Sequence, residues 1–486
     1  MSGARPDRQL GRGPGVVDPA RPRADAGWLF GLFNTLFAVS LILHQLWWNG
    51  FEVRTAHALV VLAAGWVLQA PGSVGRFAAM IAAEVVAVSL DMPFAGSHTL
   101  LVLIFGGCAL VHLGWTALRA RSVPTPESVF NDLAPFLRAA LIVVYATAAL
   151  AKMNTSFLDP AISCASSMSR QLAWFDPSLL DGSWRIEPAI WATIAVEVAL
   201  PVLLAARRTR IVGLVLGGGF HTVLALAGNV PFSALAFAFY VAFLPLDTPE
   251  RVHARWQGRC VGSSRSQPAR PVRRPAAVGR ALALIVFVGA WLGGAALSVT
   301  HPALTAGLVA EGTRLVVVLI ALGAGGVLLA SRRGAPEPPR FQRRSLGVGH
   351  PVLLAGVLLL VVNGLSPYLG LKTDSSFEMF SNLRTEPGAW NHLLIPESAR
   401  LFGYQNQLVR VVASNDPALL ARGAGGTRLV RFELDRYLRS HPNSVVTYTT
   451  GPGSPPHTEG PLPPGQTPLE RIAVFRDVPP PGRPRC

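Results

Sequence analysis

Three polar residues in one apolar stretch have the types and spacing for proton transfer inside a membrane. Arg138, Tyr145 and Lys152 lie seven residues apart within RAALIVVYATAALAK, so on a helix they fall on nearly one face. At the rise of an α-helix they extend over roughly 21 Å, most of the hydrocarbon core of a bilayer. A desolvated lysine there can lose its proton and act as a base. A lysine that reaches along the helix end to the membrane surface is the alternative interpretation.

Lys152 is unusual because this chain uses arginine for almost every basic residue. Of its 43 lysine and arginine residues, only Lys152 and Lys372 are lysine. A helix end that needs only a positive charge would be expected to carry arginine here as well. Arginine stays protonated in proteins, whereas a buried lysine can become neutral. The choice of lysine therefore indicates a need for an amine that can lose its proton.

Three further ionisable residues are predicted to reach the same outer half of the membrane. His98 begins one predicted helix, His221 lies in a second, and Glu197 is near the middle of a third. Polar side chains within membrane spans are costly, so their convergence with the amine and the phenol indicates a proton-transfer site. Each also has a structural interpretation: His98 as a helix cap, His221 as a hydrogen bond between helices, and Glu197 as a partner of Arg138 or of a histidine. Other intramembrane polar residues are interpreted as packing residues: His44, Glu84 and His112.

The composition places these residues in a polytopic membrane protein. The chain has 486 residues, of which 50% are hydrophobic and 14% charged, and its mean hydropathy is +0.39. A net charge of +16 in a soluble protein would indicate nucleic acid as a partner. Here the arginines fall in alternate loops, as membrane orientation requires, so no nucleic acid is expected. No dinucleotide or P-loop fingerprint and no metal-spaced Cys/His cluster is present in the sequence.

The pattern of apolar segments predicts about nine to eleven transmembrane helices. Two of the segments, 57–70 and 231–246, are short for a crossing and are also consistent with interfacial or re-entrant helices. The eleven candidates are 27–48, 57–70, 77–93, 98–118, 136–153, 187–205, 210–227, 231–246, 280–299, 314–331 and 351–369.

The distribution of arginine predicts a cytoplasmic N-terminus. With that orientation the inside segments carry 25 arginines and the outside loops only four, which is the asymmetry of the positive-inside rule. An odd number of spans then places the region from about 371 outside the cytoplasm. Cys164 and Cys486 would share that compartment, and whether they pair is left open.

The outer region is predicted to be a small β-rich extracytoplasmic domain. Alternating segments at Leu408–Ala413, Arg428–Leu434 and Ser444–Tyr448 are typical of strands. The Pro/Gly-rich tail is expected to be loose. The predicted organisation is a disordered cytoplasmic N-terminus (1–26), a first transmembrane domain (27–250), a basic cytoplasmic loop (251–279), additional transmembrane helices (280–370), the β-rich domain (371–450) and the tail (451–486).

Several short segments resemble the vitamin K-dependent gamma-glutamyl carboxylase superfamily, specifically the bacterial proteins with the horizontally transferred transmembrane (HTTM) domain. The resemblance covers roughly 25–250 and 351–395, and the Arg-x6-Tyr-x6-Lys helix followed by Phe-His is its most specific part. The matching segments are Ser97-His98, Pro135–Arg138, Val144-Tyr145, Ala151-Lys152, Glu197–Leu204, Phe220-His221, Phe232–Pro245, Pro367–Leu371 and Met379–Leu383.

The resemblance implies a bacterial inner-membrane enzyme with lyase chemistry. In the family, a lysine at the position of Lys152 acts as a base toward reduced vitamin K. The resulting anion reacts with O2 to form a strong base, which removes a gamma proton from a glutamyl side chain before CO2 adds. The implied cofactors are reduced vitamin K or menaquinol with O2 and CO2, and the implied partners are the lipid bilayer and an exported glutamate-containing peptide. His98 would stabilise an intermediate, and the role of His221 stays open.

The carboxylase interpretation has two alternatives. The first is an HTTM-family protein that keeps the fold and a quinone-linked redox role but carboxylates nothing. The second is a transporter or a scaffold. A transporter is expected to show inverted repeats with broken helices, and no clear pair stands out in the sequence. A scaffold would not require Lys152, His98 and His221 at a single depth in the membrane.

Overall fold

The protein, seen in a computed structural model, is mostly helical, with a small antiparallel sheet in its C-terminal region. The structure describes residues 21–51, 55–172, 183–260, 277–332, 346–465 and 467–486. The α-helices in these ranges are α1 Arg21–Asn49, α2 Thr55–Leu68, α3 Val74–Asp91, α4 Ser97–Ala120, α5 Pro126–Lys152, α6 Thr155–Leu158, α7 Cys164–Gln171, α8 Ser183–Ala205, α9 Arg210–Leu226, α10 Val230–Tyr240, α11 Thr248–Cys260, α12 Ala277–Thr300, α13 Pro302–Arg332, α14 Pro351–Leu369, α15 Pro417–Arg422 and α16 Arg431–Ser440.

Seven of the helices in the described ranges are long and apolar enough to cross a membrane. An eighth span results if α10 and α11, which are bent by 95°, form one crossing. The chain is therefore a multi-pass membrane protein with lipid bilayer around it. Each of the eleven predicted segments overlaps a helix. The count of full-length spans is lower because α2 and α9 are short and α3 carries three charged residues.

Helix α5 lies at the centre of the bundle and packs against α1, α8 and α14. Its start is fixed by Thr125, whose side chain accepts a hydrogen bond from the Ser128 backbone N–H, and by Pro126 in the first turn. It ends at Lys152 because Asn154 is extended and caps the short helix α6, accepting from the Phe157 backbone N–H. The amine of Lys152 therefore lies at the junction between a buried helix and an irregular loop.

The sheet has four antiparallel strands in the order β2-β1-β3-β4. The strands are β1 Leu408–Ser414, β2 Leu429–Val430, β3 Val446–Thr449 and β4 His457–Glu459. Its core forms from alternate strand residues and from Leu434 and Leu438 of α16. The prediction of a strand over Arg428–Leu434 is wrong beyond Val430, because RFELDRYLRS forms helix α16 and buries one helical face.

The tail is packed, which corrects the expectation of a loose segment. Ala473, Phe475 and Val478 are buried against Leu408 and Val430 of the sheet. The sequence signal for these contacts is a single apolar run of four residues, Ile472–Phe475, which the Pro/Gly-rich composition of the tail obscures. A disulfide joins Cys164 and Cys486, which are 322 residues apart.

The sheet region lies at the end of the bundle where α5 finishes. The backbone N–H of Leu393 donates to the Met153 carbonyl at 2.9 Å, and the Ser375 hydroxyl donates to the Ala95 carbonyl. The guanidinium of Arg436 in α16 lies 4.8 Å from the Phe94 ring centroid. Residues 1–20 and 261–276 of the predicted cytoplasmic segments lie outside the described residues, whereas 21–26 form the first turns of α1.

Candidate functional site

The amine of Lys152 is buried and paired with a carboxylate of a neighbouring helix. Its Nζ lies 2.9 Å from Oε2 of Glu197 on α8 and donates to the Met379 backbone carbonyl at 3.0 Å. Lys152 is 3% exposed and Glu197 7%. The partner of Glu197 is thus Lys152, not Arg138 or a histidine as predicted. An ammonium and a carboxylate in contact can exchange one proton between them and become a neutral amine and a neutral acid.

One helical face of α5 connects this pair to a second polar group. Tyr145 lies two turns before Lys152, and its hydroxyl is 2.6 Å from His221 Nε2 and 2.5 Å from the Tyr240 hydroxyl. The other ring nitrogen of His221 lies 3.4 Å from the Ser233 hydroxyl. These four side chains, from α5, α9 and α10, form a chain of polar contacts inside an apolar core.

A cavity of about 650 Å³ lies beside both groups. Tyr145, Lys152 and Glu197 line it, and its remaining walls are mostly apolar side chains of α7, α8 and α9. The volume is within the range of small-molecule sites, about 300–1,000 Å³. Two lining residues of α9, Val215 and Val223, are 55% and 51% exposed, so the cavity borders the surface that faces lipid. The arrangement suits an apolar molecule with a polar, ionisable head.

Two of the predicted site residues lie apart from this group. His98 Nε2 is 2.9 Å from His44 Nδ1 on α1, and no histidine is among the described residues that line the cavity. Arg138 is buried two heptads before Lys152, and its Nε donates to the Ala134 carbonyl at 3.1 Å. Lys152, Glu197, Tyr145 and His221 are therefore brought together around the cavity, whereas His98 contacts His44 of α1 and does not join them.

Several members of the site were missed from the sequence. Tyr240 lies in the apolar segment 231–246 and is not among the predicted site residues, although a phenol in such a helix usually needs a hydrogen-bond partner. Gly217 makes room for it, because a Cβ at that position would meet the Tyr240 hydroxyl. The carbonyl of Met379 and the ring of Phe380 come from the segment that follows α14, and no pattern in the sequence predicts where a backbone carbonyl will lie.

A second cavity, of about 600 Å³, also lies along α9 and shares Val215, Gly219 and Val223 with the first. Residues of α1, α9, α10 and α13 line it, and Tyr240 is the one titratable residue among its described lining residues. The two cavities thus differ in chemistry more than in size. Only the first places an amine and a carboxylate against its apolar volume.

Outside the spans, two titratable groups of the segment that follows α14 are perturbed by burial. Burial raises the pKa of Glu378 to about 7, although Arg476 and Arg485 act against this rise. Burial also lowers the pKa of Lys372 to about 8. Glu378 immediately precedes Met379, whose carbonyl contacts the Lys152 amine. The backbone that contacts this amine therefore lies next to a desolvated carboxyl group.

Among the described residues, no group of three or more His, Cys, Asp or Glu side chains is arranged to hold a metal ion. Comparison with protein-family models, with curated proteins and with solved structures gives no match for this chain.

Proposed function

We propose that this chain is a membrane enzyme that couples oxygenation of a lipid-borne quinol to carboxylation of glutamyl side chains. The observation that carries the proposal is the Lys152–Glu197 pair at the wall of an apolar cavity beside the lipid-facing surface. The proposal also uses the resemblance of the Arg-x6-Tyr-x6-Lys helix to the vitamin K-dependent carboxylase superfamily.

The residues of the cavity fit a reduced quinol such as vitamin K hydroquinone or menaquinol. Apolar walls suit the ring and its isoprenoid chain, and the buried polar atoms at one end suit its hydroxyl groups. When bound, the quinol would supply the oxygen chemistry: one quinol and one O2 give the quinone epoxide and water, while CO2 replaces a glutamyl gamma proton.

In this proposal each side chain has a defined role in moving protons. Lys152, made neutral by transfer of its proton to Glu197, accepts a proton from a hydroxyl in the cavity. Tyr145 orients the same hydroxyl, and its contact with His221 lets it donate or accept a hydrogen bond. The Met379 carbonyl fixes the direction of the amine. Burial of all these groups excludes competing water.

The orientation in the proposal is a cytoplasmic N-terminus with the sheet region outside, in a bacterial inner membrane. The arginine distribution supports it. The Cys164–Cys486 disulfide supports it independently, because disulfides persist in oxidising compartments. The site would then face exported peptides on one side and lipid on the other.

The pairing of His98 with His44 favours a second candidate function. A carboxylase in this family uses the histidine that His98 resembles, yet His98 here contacts α1 and does not line the cavity. The alternative is therefore a quinone-linked redox protein of the HTTM family that carboxylates no peptide. It would use the same cavity and the same amine.

The two candidates separate in one assay of the purified chain in lipid. The protein receives reduced vitamin K or menaquinol, O2 and labelled bicarbonate, and both quinone epoxide and label in a glutamyl peptide are measured. We expect epoxide with the wild type and with Lys372→Arg, which changes the other lysine, and a loss of at least about 100-fold with Lys152→Ala. Epoxide without labelled peptide would favour the alternative. Equal epoxide formation by Lys152→Ala would contradict both.

A further inference from the structure

The outer wall of the cavity is a segment with an unfavourable backbone. This cover segment, Ser376–Glu386, supplies the Met379 carbonyl to Lys152 and the Phe380 ring to the cavity. Phe377, Phe380 and Asn382 have φ values of 63°, 52° and 57°. Non-glycine residues rarely adopt this left-handed conformation, because their Cβ then crowds the backbone. Contacts from elsewhere in the chain must therefore impose the conformation of the cover.

Part of this support comes from the loop that follows α5 and from Asn391, a few residues beyond the cover. The Asn154 amide donates to the Ser381 carbonyl at 2.6 Å, and the Asn391 amide donates to the Asn382 carbonyl at 3.0 Å. The side-chain oxygen of Asn382 accepts from the Cys164 backbone N–H at 2.7 Å. The cover is thus bonded to the start of α7, whose residues Ala165 and Met168 form another wall of the cavity.

The rest of the support comes from a strap at the end of the tail, Arg476–Cys486. The Arg485 guanidinium donates to the Leu383 carbonyl at 3.1 Å and lies 2.7 Å from the Glu386 carboxylate. Both side chains are buried, so neither charge has water as an alternative partner. Arg384 of the cover donates in return to the Pro479 and Arg483 carbonyls at 2.9 and 3.0 Å.

A covalent bond fixes the far end of the strap. Cys486 follows Arg485 and forms the disulfide with Cys164, the first residue of α7. The strap, the cover and α7 are therefore all linked to one another at the end of the cavity nearest Lys152. Because Cys486 directly follows Arg485 in the chain, its disulfide limits how far Arg485 can move from Leu383 and Glu386.

We propose that the strap is a positioning element for the site: Arg485 and Cys486 hold the cover segment so that the Met379 carbonyl stays on the Lys152 amine. The inference concerns the cavity of the proposed function, but it and its test do not require that the proposed reaction occurs. Neither Arg485 nor Cys486 lines the cavity, so both act through the cover.

The lysine content of the chain allows a direct test by amine acylation and mass spectrometry. Lys152 and Lys372 are the only lysines, so Lys372 is an internal reference in the same sample. Full-length protein in lipid nanodiscs is treated with acetic anhydride, and the ratio of the two acylation rates is measured. Three samples are wild type: the untreated protein, the protein after thiol reduction, and the reduced protein after reoxidation. The variants are Cys486→Ser, Arg485→Gln and Arg485→Lys. The matched control is Cys108→Ser, which removes the free cysteine of α4.

We expect reduction, Cys486→Ser and Arg485→Gln each to raise the Lys152:Lys372 ratio by about tenfold through local opening of the cover. Reoxidation should restore the slow rate, Arg485→Lys should restore it in part, and Cys108→Ser should leave it unchanged. An unchanged ratio in all strap samples would overturn the proposal. Equal acceleration of both lysines would also overturn it, because the strap would then stabilise the outer region as a whole. If Cys486→Ser fails to fold, the reduced wild type provides the same measurement.

Discussion

Two pairs of ionisable side chains at the same end of the bundle have different surroundings. Lys152 and Glu197 join α5 to α8, receive a carbonyl from the cover segment, and border an apolar cavity. His44 and His98 join α1 to α4, and neither is among the described residues that line that cavity. Lys152 and Glu197 are buried, whereas His44 and His98 are half-buried. Only the first pair borders the cavity beside the lipid-facing surface, and this contact with a cavity distinguishes the candidate site from a packing contact.

The largest expected difference between the pairs appears when one partner is removed. Glu197→Met leaves the Lys152 amine buried without its carboxylate, and we expect a loss of about 3 kcal/mol in the free energy of unfolding. The double variant Lys152→Met, Glu197→Met should recover most of that loss and still form no quinone epoxide. His44→Phe with His98→Phe, a packing change, should alter both quantities little. Denaturant titration in detergent and the epoxide assay provide the two measurements.

A double variant that keeps epoxide formation would contradict the role of the first pair. Loss of epoxide in the histidine variant at normal stability would show that the second pair acts in the reaction. Either result would reverse the distinction between the two pairs.

A smaller effect is expected from the support of Tyr145. Gly217→Ala adds a Cβ that meets the Tyr240 hydroxyl and displaces it from Tyr145. We expect a fall in epoxide formation of about tenfold, through a misplaced phenol. Gly218→Ala is the matched control, because its Cβ would lie 3.7 Å from the nearest atom, in the Phe237 ring. Equal effects of the two substitutions would mean that helix packing, not the position of Tyr145, sets the activity.

The depth of each polar residue was predictable, but its lateral neighbours were not. Helical spacing placed Tyr145 and Lys152 on one face of α5, and span boundaries placed Glu197 and His221 near them in depth. The same reasoning puts His98 at that depth too, but it does not predict that His98 contacts His44 or that Glu197 pairs with Lys152. Depth in the membrane does not determine which helices are in contact. The contact between Lys152 and Met379 joins residues 227 apart in the chain, and no periodicity reports such a distance.

The C-terminal sheet region shows the same limit for a different reason. Alternation in Arg428–Leu434 fits a strand, yet the segment turns into α16 after Val430. The helix is favoured over a strand because its buried residues include Glu433 and Arg436, which form an ion pair and hydrogen-bond to the tail. Glu433 accepts from the Phe475 backbone N–H, and Arg436 donates to the Ala473 carbonyl. Tertiary contacts of a Pro/Gly-rich tail decide this local structure.

The most direct measurement of the central claim is photolabelling of the purified chain in lipid by a quinone with a photoreactive ring substituent. The account predicts crosslinks to the cavity-lining parts of α5, α8 and α9, including the Tyr145–Lys152 segment, and their loss when unlabelled quinol competes. Crosslinks confined to α1 and α13, which line the second cavity, or labelling that unlabelled quinol does not reduce, would contradict it.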